Sequence, residues 1–325
     1  MLEKMKSAWR IPELRKKIIY TFGMLLIYRL LCVIPVPGIN VSAVASAVKD
    51  YSILDFMNMM TGGSFQNMSI MAMGITPYIN SSIILQLLTV AIPALEKLAN
   101  EGPEGRKKIN EYTRYLTVVL AFIQAVGLVF AMRANSYGGV WYLVIGLSMA
   151  AGSALAMWIG ERITENGIGN GISMILFANI IARIPSGIIL PIFNNLKSNF
   201  GGFWYWALLL IVAMLAIIVF IVFVSQAERR IPVQYAKRVV GRKVYGGQNT
   251  HLPIKVNMSG VMPIIFAQSI ASLPATICAF GGWTSNWAYK HVFTSTSVIY
   301  TIIYLLLIVG FSYFYATIQY NPVEV

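Results

Sequence analysis

Apolar blocks of about twenty residues recur from Ile18 to Ile318, and this recurrence constrains the chain more than any motif within it. A bilayer core about 30 Å thick is crossed by roughly 20 apolar residues in helical conformation. Windows of that length select eight spans, at residues 18–34, 75–92, 115–132, 140–159, 171–190, 203–224, 261–280 and 298–318. No long polar region separates them, so the 325 residues read as one continuous membrane domain and not as two soluble ones. Composition agrees: with 57% hydrophobic and 11% charged residues, the chain has too few polar side chains to cover a water-facing surface. The expected fold class is an all-α polytopic membrane protein with eight transmembrane helices.

The formal charge of +13 is unevenly distributed along the chain. With the N-terminus placed in the cytoplasm, nineteen Lys and Arg fall on the cytoplasmic side of the spans and five on the outer side, leaving Arg29 within the first span. Cations near span ends stay in the cytoplasm, which orients the chain N-terminus inside. A nucleic-acid reader would cluster its cations on a soluble module, and none is evident, so recognition of a specific nucleic-acid sequence is not expected. The first apolar block lacks a small-residue cleavage site and is followed by seven more, so it reads as a span and not as a removable signal peptide. Cys32 and Cys278 both sit in apolar stretches, which argues against disulfides and against a metal site with CxxC spacing.

Catalytic motifs are missing from the text. HExxH, GxxxxGK[ST] and GxSxG are absent, and the two histidines, His251 and His291, fall in expected loops on opposite sides of the membrane. GIGNGIS, from Gly167, is a weak likeness of a nucleotide loop, but no strand precedes it. No enzymatic activity, cofactor or metal is expected. Ion-coupled pumps rely on intramembrane carboxylates, and no Asp or Glu falls well inside any span. Arg29, near the outer end of its span, is expected to snorkel or to pair structurally.

Polar residues nevertheless cluster in particular spans. The second holds Pro77, Asn80, Ser81, Ser82 and Gln86; the fifth is interrupted by Arg183 and Pro185; the seventh holds Pro263, Gln268, Ser269, Ser272 and Pro274. Each is compatible with ordinary helix–helix hydrogen bonding, and together they suggest a polar path. The Met-rich stretch 54–74, broken at Gly62 and Gly63, is too short to span and reads as a re-entrant or interfacial piece on the outer side. The cytoplasmic stretch 226–256 alternates as short strands do in RIPVQYAK and VYGGQNTHLPIKV, predicting a small β-hairpin-like docking loop that exposes cations. A channel driven by a cytoplasmic partner is the leading reading, with a small-solute secondary transporter as the alternative.

Long strings of this sequence resemble the SecY family of bacterial protein-translocation channels. They are RLLCVIPVPGI from Arg29, SIMAMGITPYINSSIILQLL from Ser69, the EGRKKINEYTRY region from Glu104, ERITENGIGNGIS from Glu161, and RRIPVQYAKRVVGRKVYGGQNTHLPIKVNMSGVMPIIFAQSI from Arg229. The resemblance implies a plasma-membrane channel of two inverted halves, here residues 1–192 and 193–325, meeting at a ring of aliphatic side chains. Ring positions carried over by motif are Ile79, Ile83, Ile172, Leu176 and Ile265, with leucine at 176 where isoleucine is more usual. The plug, implied to be a short helix, corresponds to Gly62, Gly63, Ser64, Phe65, Gln66, Asn67, Met68 and Ser69. The second and third helices are implied to face the seventh and eighth across a lateral gate. Implied partners are SecE and SecG in the membrane and the SecA ATPase or a ribosome at the cytoplasmic face, docking on Arg229, Arg230, Lys237, Arg238, Arg242 and Lys243. The family has ten spans, so the resemblance places a last cytoplasmic loop, two helices and one ring contribution beyond TIQYNPVEV, where this sequence stops.

Overall fold

The computed structural model describes residues 10–39, 41, 44, 58–131, 138–185, 190, 204–233, 238–240, 243–245, 250–257, 260–280, 292 and 297–319. Each of the eight apolar stretches contains a helix. In chain order these are α1 (Pro12–Leu31), α2 (Thr76–Ala91), α4 (Pro103–Ala131), α5 (Gly139–Asn166), α6 (Gly171–Ile184), α7 (Trp204–Gln226), α8 (Met262–Phe280) and α9 (Val298–Gln319), with an additional α3 (Pro93–Asn100) after α2. Among the described residues, α4, α5, α7 and α9 are each long and apolar enough to cross a bilayer, and α2 with α3 is so only when the bent pair is taken together. The chain is a multi-pass α-helical membrane protein.

Two departures from the sequence reading have local causes. The second span ends in a 102° bend between α2 and α3. Pro93 has no N–H to continue the helix and forces Ile92 out of helical conformation, to φ −111° and ψ 111°. The third span begins twelve residues earlier than expected, because Pro103 and Glu104 open α4 with the residue types a first turn favours. Arg106, Lys107, Lys108 and Arg114 therefore ride on the first turns of a continuous helix and not in a loop.

The chain divides into two compact units, Met1–Leu190 with Ser269–Thr301, and Pro191–Gln268 with Ile302–Val325. In the first, α5 is the hub: α4, α6, α1 and α2 all pack on it, and α2 also packs on α4. Small residues make this closeness feasible, as in membrane helix pairs generally. A Cβ at Gly152 would run into the Ile70 carbonyl, and one at Gly171 would run into the carbonyl of Gly160.

GIGNGIS turns out to be the corner between α5 and α6. Gly167 N–H closes α5 on the Ile163 carbonyl at 2.8 Å. The Asn170 side chain then caps α6, accepting from the N–H groups of Ile172 at 3.0 Å and Ser173 at 3.3 Å. Thr21 of α1 fastens the corner by accepting from Ile168 N–H at 3.1 Å. Asn170→Ala is expected to cost about 1 kcal/mol, the usual worth of such a cap, read as a lowered unfolding midpoint in detergent; an unchanged midpoint would remove the cap from the account.

In the second unit, α7 is apolar on all sides and nearly all its side chains from Leu208 to Phe223 are exposed, as suits a helix wrapped in lipid. The stretch between α7 and α8 holds two antiparallel pairs. β1 (Glu228–Val233) runs against β4 (Thr250–Lys255), with Glu228 opposite Lys255 and Val233 opposite Thr250. β2 (Arg238–Val240) runs against β3 (Lys243–Tyr245). His251 is therefore a strand residue opposite Pro232, within the stretch whose alternation predicted strands; His291 lies outside the described residues. Phe266 is buried and meets Phe311 edge-on at 5.8 Å and Tyr315 at 6.1 Å.

Candidate functional site

Between α1 and α2 the described residues 58–75 pack within the first unit and form no span. Residues 58–60 are helical and residues 61–68 are consecutive turns. Gly62 and Gly63 adopt φ +66° and +92°, where a helix of L-residues cannot continue, and Met68 sits at φ +44°. The short helix implied for the plug is thus a compact run of turns, and of the re-entrant and interfacial readings burial fits the re-entrant one: Asn58, Ser64, Phe65, Met68, Ser69, Met71 and Ala72 are fully or almost fully buried. Residues 54–57 lie outside the described residues.

Irregular backbone at membrane depth persists only where its polar groups are satisfied by protein or water. Here they are tied locally. Asn58 accepts from Gln66 N–H through Oδ1 at 3.0 Å and donates to Gln66 Oε1 at 3.3 Å. Thr61 Oγ1 accepts from Phe65 N–H at 3.3 Å. An isolated bridge pairs Pro35 with Ser69, with Val36 N–H donating to the Met68 carbonyl at 2.9 Å and Ile70 N–H to the Ile34 carbonyl at 3.0 Å. Phe65 and Met68 are anchored in an apolar cluster with Val36, Ala125, Val129 and Met149.

Three side chains outside the segment reach its backbone or support those that do. Arg29 Nη1 donates to the Gly62 carbonyl at 3.3 Å. Asn179 Nδ2 donates to the Met60 carbonyl at 3.1 Å and to the Tyr28 hydroxyl at 3.1 Å. Asn179 and Tyr28 are both buried, and Asn179 Oδ1 has no partner. The sequence reading passed over these two residues. The signal was present: Asn179 is the one amide inside the apolar α6 sequence, and a polar group within a span is a functional candidate by default.

The five aliphatic ring positions lie on three helices. Ile79 and Ile172 pack against one shared cluster that includes Tyr28, Ile75, Ile159 and Ile175. Ile83 and Leu176 follow each of them by four residues, one turn along the same helix face; Ile83 is 7% exposed and Leu176 half-buried. Ile265 is half-buried near the start of α8, in the second unit. Of the docking cations, Arg229 and Arg230 are exposed on β1, Arg238 begins β2, Lys243 begins β3, and Lys237 and Arg242 lie outside the described residues. Beside the ring helices, Arg114 of α4 and Glu161 of α5 form an ion pair at 2.8 Å, too exposed to contribute more than about 1 kcal/mol.

A family model described as SecY matches residues 69–325. The protein translocase subunit SecY of Streptomyces scabiei is 40% identical over 348 residues, which cover 100% of this chain and 78% of that one. That of Thermotoga maritima is 43% identical over 342 residues, covering 100% and 77%. A solved structure described as that of a protein conducting channel matches the fold with a TM-score of 0.67 at 18% identity, over 96% of this chain and 76% of the other.

Proposed function

The chain belongs to the SecY family and is a channel subunit of a protein translocase; we propose that it passes unfolded polypeptide across the bacterial plasma membrane and releases apolar segments sideways into lipid. The observation that carries this reading is the buried run of turns at residues 58–75. Non-helical backbone inside a membrane domain is what a removable stopper requires, since it can leave its seat without unravelling a span. In this proposal residues 62–69 are the plug. Ile79, Ile83, Ile172, Leu176 and Ile265 form an apolar waist between two wet vestibules, closed at rest because water is expelled from it.

Residues 1–192 and 193–325 form two inverted halves in this reading, with the N-terminus in the cytoplasm as the nineteen-to-five distribution of cations favours. The lateral gate lies between α2 with α4 and α8 with α9. Pro263 in the first turn of α8 and Pro274 within it supply bending points for opening. The subunit breaks and makes no bonds, so its driving force comes from SecA or a translating ribosome bound at the cytoplasmic face, with SecE and SecG as membrane partners. Nothing observed favours the solute-transporter alternative.

The reading is tested with the subunit and its membrane partners in proteoliposomes, given motor, ATP and a secretory precursor. Protease-protected precursor is expected, and its absence would overturn the reading. In the same assay, reversing Arg229 and Arg230, or Arg238 and Arg242, to glutamate is expected to cut transport about tenfold, the scale on which charge steering changes association. The variant subunits should accumulate in the membrane normally. Undiminished transport would remove the docking role from these cations.

A further inference from the structure

Resting on the plug reading above, we propose that Arg29, Tyr28 and Asn179 form a polar latch that holds the plug segment in its closed seat through the carbonyls of Met60 and Gly62. The geometry is specific to those two carbonyls. Asn179 uses both hydrogens of its amide, one on Met60 and one on the Tyr28 hydroxyl, so the tyrosine orients the amide toward the segment. Arg29, which forms no ion pair among the described residues, donates to the Gly62 carbonyl. The glycine at 62 is needed for this approach: a Cβ there would stand 2.7 Å from Arg29 Nη1 and 3.0 Å from Asn179 Oδ1.

These groups lie on α1 and α6, which are in contact with each other and with the hub α5, while the segment they hold is tied to itself by short-range turns and to residues 34–36 by the bridge at Ser69. Leaving the seat breaks the two hydrogen bonds that α1 and α6 make to the carbonyls of Gly62 and Met60, while the Asn179–Tyr28 bond stays intact. Asn179 Oδ1, buried and unpartnered, is already without compensation in the seated state, so the closed position is held short of maximal tightness. A latch of this kind sets the resting open population without lying in the polypeptide's path.

The test uses the intact translocase complex in a planar bilayer, with resting ion conductance as the readout. Asn179→Leu, which removes both donors, is expected to raise resting conductance about tenfold, and Tyr28→Phe to raise it less, because each buried hydrogen bond contributes a modest net bias to the closed state. Asn179→Asp is expected to raise resting conductance as Asn179→Leu does, because a carboxylate has no hydrogen to give the Met60 carbonyl and sets an oxygen against it. A merely structural role would lower accumulation of the subunit in the membrane without raising the resting conductance of the complexes that form. Pro35→Cys with Ser69→Cys supplies a covalent version, since these two residues face each other across an antiparallel bridge, a separation that suits a disulfide. Oxidation of that pair should stop transport and reduction restore it. Transport that persists after oxidation would sink the plug reading. A block on oxidation combined with unchanged conductance in both Asn179→Leu and Tyr28→Phe would keep the plug and overturn the latch.

Discussion

Replacing Ile83 by asparagine is expected to let precursors with weakly apolar signal sequences cross at least about tenfold faster than through the parent channel. Ile83 is almost wholly buried on α2, one turn beyond Ile79. An amide at that position has no partner in an apolar seam and draws in water, at a cost to the closed state of about 1–3 kcal/mol. A dry constriction opens when it wets, so that cost goes directly into the closed-to-open balance. Ile265→Asn should behave alike from α8. Export of such precursors measured in cells carrying the variant subunit provides the check, and an unaltered rate for both variants would remove these side chains from the ring.

Gly152→Leu should have the largest effect on stability. The added side chain would meet the Ile70 carbonyl, which is backbone and cannot rotate away. Overpacking of a well-packed core commonly costs about 1–3 kcal/mol, and a clash with backbone at the helix on which four others pack sits at or above the top of that range. The variant is expected to fail to accumulate in the membrane. Gly310→Leu is the control, because a Cβ at Gly310 meets nothing within 4 Å. Equal accumulation of the two variants would mean that α5 and the re-entrant segment do not approach as closely as described.

The apolar periodicity located all eight helices because burial in lipid depends on composition over twenty residues, which a linear scan reads directly. The alternation in 226–256 was legible for a similar reason: cations and apolar residues on successive positions suit a strand, and Glu228 to Val233 pairs along its whole length with Thr250 to Lys255. The α2–α3 bend was less legible, since a hydropathy window runs smoothly across Ile92 and Pro93 while the backbone turns by 102°. That Gly62 and Gly63 break the stretch holding residues 62–69 was legible. Their conformation was not, because a glycine pair at positive φ converts an apolar stretch into turns without changing its hydropathy. Asn179 and Tyr28 were hidden for another reason. Their importance lies in what they touch 119 and 151 residues away in sequence, and no local pattern carries that.

The central claim is that Ile79, Ile83, Ile172, Leu176 and Ile265 surround the translocating polypeptide. A photo-crosslinking amino acid placed at each of these positions, and at Leu209 and Phe223 on lipid-facing α7, tests it with a precursor arrested midway through the translocase. Adducts to the precursor at the five ring positions, and only lipid adducts on α7, are expected. Lipid adducts at the ring positions, or precursor adducts on α7 alone, would contradict it.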